Sequence, residues 1–224
     1  LWSYKSAGRS QLPITIRTVV GKGWGQGPQH SKSLHSWFAH LPGLSVVYPS
    51  SPYEAKGLML SSIFANYPTI FFESRSLHTM NEYVPEKPYF LDPTKAFVRK
   101  KGRHLSIVGF GPSVTNALEV SSKLEKLKKI SCEVIDLRSL NPIDEKTILS
   151  SVNKTKNLCV IEYGWPNSSI SSDIISKVTE KIKLKNKPIK ICWPNSYVPT
   201  SHFLEKKFYF QNDDIVKKII NEFR

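Results

Sequence analysis

The stretch HLSIVGFGPSVTNALEVSSKLEKLKKISCEVID, His104 to Asp136, decides the architecture. His104 to Gly109 is a short apolar run that reads as a strand, Ser113 to Lys128 follows as a helix, and Cys132 to Asp136 is a second strand. A strand that reaches the next one through a helix returns in the same direction, so the pair is expected to be parallel. The alternation continues downstream: helix Glu145 to Val152, strand Leu158 to Ile161, helix Ser171 to Ile182, strand Ile189 to Cys192, and a closing helix at Asp213 to Phe223. It also extends upstream. Leu12 to Val20 is β-branched and reads as a buried strand, and from Ser33 the apolar positions Leu34, Trp37, Phe38 and Leu41 predict a helix ended by Pro42-Gly43. Leu44 to Tyr48 is a strand, Pro52 opens a helix with Ala55, Leu58, Met59, Ser62 and Ile63 along one face, and Thr69 to Glu73 is a strand. The fold class is therefore α/β, two units of mostly parallel sheet covered by helices on both faces.

Between the units, Thr79 to Gly102 holds prolines at 85, 88 and 93, several aromatics and an Arg-Lys-Lys run, and reads as a linker. The boundaries drawn are 1–78, 79–103 and 104–224. The 224 residues suffice for one large domain or two smaller ones. Leu1 stands where methionine is expected, and LWSYKSAGRSQLPITIRT reads as an interior helix end running into a strand, so a preceding segment is expected. No apolar run is long enough to span a bilayer, which argues against a membrane role. The net charge of +14 raises a nucleic-acid reading. Lys123, Lys126, Lys128 and Lys129 fall at helical spacings on a solvated face, without an aromatic platform beside them, and that argues against it. Cys132, Cys159 and Cys192 are widely spaced in apolar runs and suit small buried hydrophobes in a reducing compartment.

The densest chemistry lies in GWGQGPQHSKSLHSWFAH, Gly23 to His40, with histidines at 30, 35 and 40. Five-residue spacing separates successive side chains by about 140° around a helix, so the three cannot converge on one metal ion, which needs i, i+4. Extended backwards, the helix puts His30 on the inward stripe with Leu34 and Phe38, at a helix N-terminus behind a glycine loop, while His35 and His40 fall off it. His30 is the candidate acid/base group, weighed against a satisfied structural histidine. Phosphate loops fit poorly: no GxxxxGK[ST] follows the glycines, and Gly109-Phe-Gly111-Pro112-Ser-Val114 has valine where a dinucleotide fingerprint needs a small residue.

The run PITIRTVVGKGWGQGPQHSKSLHSWFAHLPGLSVVYPSSPYEAKGL, with VIDLRSLNPID (Val134 to Asp144), Glu162 to Pro166 in IEYGWP, and the tail PTSHFLEKKFYF, resembles the beta subunit of the thiamine-diphosphate-dependent first component of 2-oxoacid dehydrogenases, of the pyruvate, acetoin or branched-chain type. The resemblance implies a truncated transketolase-like pyrimidine-binding domain over 1–78, then the linker, then a transketolase C-terminal domain over 104–224. It implies decarboxylation of a 2-oxoacid and acyl transfer to a lipoyl group, with His30 in acid/base handling or positioning and Gln29 and Ser31 lining the cleft. Thiamine diphosphate is the implied cofactor, with magnesium held by an alpha subunit. A potassium ion is implied on main-chain carbonyls of Ile14, Ser62, Ile63 and Ala65, with Tyr67 where relatives place an asparagine. The implied partners are the alpha subunit, the lipoyl acyltransferase core and a second beta chain in a two-alpha two-beta assembly, in a bacterial cytoplasm or a mitochondrial matrix. The competing readings are the C-terminal half of a split transketolase-like enzyme and a non-catalytic docking subunit.

The sequence also departs from the family. Its activating glutamate lies upstream of the QHS run, whereas the first acidic residue here is Glu54. Ser168 and Ser169 stand where relatives have glycines, and Phe210 where proline is common. Asp136-Leu-Arg138-Ser-Leu140-Asn-Pro142 has a structural reading beside a subunit-contact one: Asp136 and Arg138 close a strand end by pairing or capping.

Overall fold

A computed structural model describes residues 2–21 and 25–223. In chain order the elements are α1 (Trp2–Lys5), β1 (Thr15–Val20), α2 (Gly27–His30), α3 (His35–Ala39), β2 (Ser45–Val47), α4 (Pro52–Ile63) and β3 (Thr69–Ser74). They continue as β4 (Phe97–Lys100), β5 (Leu105–Gly109), α5 (Ser113–Lys128), β6 (Cys132–Asp136), β7 (Ser139–Asn141), α6 (Glu145–Thr155), β8 (Leu158–Ile161), α7 (Ile170–Lys181), β9 (Ile189–Ile191), α8 (His202–Phe208) and α9 (Asn212–Glu222).

The second half forms a five-stranded sheet in the order β4-β6-β5-β8-β9, parallel except for β4. Every residue of β5, β6 and β8 is buried, as a parallel sheet covered on both faces requires. On α5 the buried positions Val114, Ala117, Val120, Ser121 and Leu124 follow the helical period, and Ala117, Val120 and Leu124 pack on one face of the sheet with Ile215 and Ile219 of α9. The other face receives α6 and α7 through Ile148, Val152, Ile174 and Val178. Lys126, Lys128 and Lys129 are exposed, as the spacing predicted.

The first half is a four-stranded sheet, β1-β3-β2-β7, with the first three parallel. Its fourth strand comes from the other half of the chain, because β7 pairs antiparallel with β2. The presumed linker also carries structure: β4 lies within it and pairs with β6. A second difference concerns β1, expected as a buried strand. It lies at the sheet edge, with Ile16 53% and Val19 44% exposed. An apolar trough of about 1300 Å³ runs beside it, lined by Leu12, Ile14, Ile16, Leu44 and Tyr67 among others. A β-branched run fits a pleated surface without saying how many neighbours the strand has.

The halves are joined by buried charge. Glu54 on α4 meets Arg138 beyond β6 (Nε to Oε2 2.7 Å, Nη2 to Oε1 2.8 Å), while Arg99 Nη2 lies 3.7 Å from the same carboxylate. Asp136 accepts from Ser50 Oγ, from Arg99 Nε at 3.3 Å and from the Arg138 backbone N–H at 3.1 Å. The Arg138 amide thus caps Asp136, as expected, whereas its guanidinium crosses to the other half. Burial pushes the Asp136 carboxyl up to about 6; Arg99 opposes that push and Glu54 adds to it. Native Asp136 therefore keeps a proton that the unfolded chain releases near the ordinary value of 3.8, so its contribution to stability falls as pH rises from about 4 to 6. Asp136→Asn is expected to flatten that part of the stability–pH curve, as read from urea midpoints across the range.

Candidate functional site

The three parallel strands of the first sheet deliver their C-terminal ends to one edge, the usual place for a site in an open α/β sheet. There β1 opens into the glycine loop, β2 into Tyr48 and Ser50, and β3 into Arg75. Gly25 and Gly27 have φ of 63° and 64°, a region that penalises any side chain, and a Cβ on Gly27 would collide with Thr200 Oγ1. The four-residue α2 follows, with Pro28 in its first turn and Ser31 N donating to Gly27 O at 3.2 Å.

At the end of this turn Gln29 and His30 are exposed, and among the described residues neither side chain has a hydrogen-bond partner. His30 therefore does not lie on the inward stripe expected from the sequence, nor at a helix N-terminus; it closes α2. Ser31 is 1% exposed, and its hydroxyl has no partner among the described residues. A buried hydroxyl without a partner is uncommon and is available to a polar ligand atom.

The histidine that points inward is His35, which the sequence had set aside. The chain breaks between α2 and α3, and the break turns His35 into the core, where it is 0% exposed. Its Nε2 lies 2.7 Å from Glu162 Oε1 and its Nδ1 2.9 Å from Ser33 Oγ. With the proton on Nε2, the ring donates to Glu162 and accepts from the Ser33 hydroxyl, which satisfies both nitrogens. Glu162 Oε2 accepts from Ser171 N at the start of α7, at 2.8 Å. Burial pushes the Glu162 carboxyl up, but His35 and the Ser171 donors outweigh it and hold the carboxyl below its ordinary value. Phe110, Tyr48 and Phe72 surround the imidazole with ring centroids 5.2, 6.0 and 6.3 Å away. The pair joins the two halves. Beside it lies a cleft of about 410 Å³ between Ser33–Trp37 with His40 and the Gly164–Ser168 segment; neither Gln29 nor His30 lines it.

Ile14, Ser62, Ile63, Ala65 and Tyr67 gather where α4 ends beside the start of β1: Thr15 Oγ1 donates to Ser62 O at 2.9 Å and Thr69 N to Ile14 O at 2.8 Å. Among the described residues no group of three or more His, Cys, Asp or Glu side chains could hold a metal ion, and no helix is long and apolar enough to cross a membrane. Sequence reasoning missed His35 and Glu205, whose Oε2 accepts from Gly25 N at 3.0 Å. It also missed Arg75, whose guanidinium donates to Gln26 Oε1. The tail motif containing Glu205 was visible, but its contact depends on tertiary approach alone.

Residues 1–80 match the transketolase pyrimidine-binding domain and residues 94–215 the transketolase C-terminal domain. The chain is 40% identical over 215 residues to the acetoin:2,6-dichlorophenolindophenol oxidoreductase subunit beta of Bacillus subtilis (strain 168), covering 95% of this chain and 63% of that one. It is 35% identical over 201 residues to the pyruvate dehydrogenase E1 component subunit beta of the same organism, covering 88% and 62%. Among solved structures, a split-gene transketolase in an inactive beta4 tetramer superposes with a TM-score of 0.78 at 21% identity, covering 96% of this chain and 68% of that one. The chain thus spans between 55% and 63% of the length of the curated relatives it matches.

Proposed function

Because the chain belongs to the family that joins a transketolase pyrimidine-binding domain to a transketolase C-terminal domain, we propose that it serves as the beta subunit of a thiamine-diphosphate-dependent 2-oxoacid dehydrogenase. One observation carries the proposal: the QHS turn stands at the C-terminal edge of the parallel strands with Gln29 and His30 exposed and unpartnered among the described residues. A site completed by an alpha subunit needs such a face. The relatives named as beta subunits support the same reading.

Thiamine diphosphate, when bound, supplies the electron sink that decarboxylation of a 2-oxoacid requires. This chain's residues would cover its pyrimidine side: the glycine loop permits close approach, the Ser31 hydroxyl accepts or donates one bond, and His30 moves a proton or orients the reacting group. Magnesium would sit on the alpha subunit, and acyl transfer would pass to the lipoyl acyltransferase core within a two-alpha two-beta assembly. Potassium on the Ile14, Ser62, Ile63 and Ala65 carbonyls extends the reading. As folded, Ser62 O accepts from Thr15 Oγ1 and from Ala65 N, so a cation there would have to displace a protein donor, and Tyr67 offers only a phenol. No step depends on it.

The test is reconstitution of the complex from the natural full-length subunit, any segment preceding Leu1 that supplies the activating glutamate included, with its alpha subunit, thiamine diphosphate and magnesium, assayed with a dye acceptor against pyruvate, branched 2-oxoacids, acetoin and ketose phosphates. Turnover of a 2-oxoacid or acetoin is expected. Turnover of ketose phosphates alone would replace the proposal with a split transketolase, and a complex that assembles without any turnover would leave a docking role.

A further inference from the structure

Glu205 belongs to neither the catalytic loop nor the sheet that carries it, yet it reaches that loop. It sits on α8, is 3% exposed, and its Oε2 accepts the Gly25 backbone N–H at 3.0 Å. The segment before it presses on the same loop: Thr200 O would lie 3.1 Å from a Cβ on Gly25, and Thr200 Oγ1 would collide with one on Gly27. From the opposite side the Arg75 guanidinium donates to Gln26 Oε1. Residues 25, 26 and 27 are thus held in succession, and α2 with His30 at its end begins at once.

A four-residue helix has almost no stability of its own. Its direction is set by whatever fixes its first residue. A buried side-chain oxygen that accepts a backbone N–H fixes where that amide sits through its reach and direction, because the bond weakens steeply once distance or angle departs from the optimum. We infer that Glu205 is a positioning residue for His30, through which the C-terminal half sets the angle at which the catalytic turn is presented. The inference rests on the reading of His30 given above.

Two variants separate reach from charge. Glu205→Gln keeps an oxygen at the same distance and loses the charge; Glu205→Asp keeps the charge and draws the oxygen back by one methylene. In the reconstituted complex Glu205→Asp is expected to lower kcat by about 10- to 100-fold with KM nearly unchanged, as misplacement of a catalytic group does. Glu205→Gln is expected to retain most of the rate. In a His30→Ala background Glu205→Asp is expected to cost nothing further, because its effect passes through His30. Equal losses for the two variants, a loss in Asp that persists without His30, or no loss in Asp would each overturn the inference.

A readout that does not need turnover uses the full chain alone. Glu205→Asp is expected to shift the NMR ring resonances of His30 and to leave those of His104 unmoved, with Glu205→Gln close to the parent. If the complex shows no thiamine-dependent turnover while these shifts are seen, the functional reading fails and the clamp stands. If His30 resonances ignore both variants, the clamp fails.

Discussion

His30→Ala is expected to lower turnover of the reconstituted complex by about 10²- to 10⁴-fold, the usual contribution of a positioned acid/base group, while leaving the thermal midpoint of the chain where it was. The separation of the two effects follows from where His30 sits. Its side chain is exposed and has no hydrogen-bond partner among the described residues, so its removal breaks nothing that holds the fold. Exposed substitutions of this kind stay within about 0.5 kcal/mol of the parent. A loss of turnover with unchanged stability would mark His30 as a reacting or orienting group. Unchanged turnover would remove it from the chemistry and, with it, the main reason to place the cofactor at the QHS turn.

The largest expected effect on stability comes from the other histidine. Glu162→Ala removes the acceptor of both His35 Nε2 and Ser171 N, leaving Nε2 of a fully buried ring and a helix-start amide without partners. Each buried donor left unsatisfied costs about 1–3 kcal/mol, together a large part of the roughly 5–15 kcal/mol that holds an ordinary domain together. Glu162→Gln keeps one acceptor for Ser171 N and turns its NH2 toward His35 Nε2, which accepts it once the ring proton moves to Nδ1 and donates to Ser33 Oγ, so it should cost less. The acid limb gives a second signature. A carboxyl held below its ordinary value of 4.5 stabilises the fold above that pH, and the contribution is lost as pH falls through the folded value. The Glu162→Ala stability curve should therefore be flatter below about pH 4.5 than the parent's. Urea denaturation across pH measures both, and a cost below about 1 kcal/mol would mean that water enters and solvates the broken pair.

What the sequence disclosed and what it hid divide along one physical line. β5, α5 and β6 were legible because each carries its own signal: unbroken apolar residues in buried parallel strands, and a helical stripe from Val114 to Leu124 with lysines opposite. Elements defined by their neighbours were not. β7 is three residues long and becomes a strand only because β2 lies beside it. Likewise β4 was absorbed into the linker. The inward stripe assigned around Trp37 presumed one continuous helix, but the chain breaks before His35 and Trp37 ends up 71% exposed. Glu162 entered only as part of the IEYGWP resemblance, and nothing local to it announces a partner 127 positions away.

The crossing of β7 into the first sheet bears on how the chain can be divided. A gene designer reading the sequence would cut between the two matched segments, after residue 80 and before residue 94. The hydrogen-bond ladder ignores that cut: Val46 and Val47 are in register with Asn141 and Ser139. An N-terminal fragment made there would expose β2 as an adhesive margin, and a C-terminal fragment would carry an unpaired three-residue strand with no sheet to join. The polypeptide has two family segments but one interlocked scaffold, so recombination between relatives should exchange residues 45–47 and 139–141 together or not at all.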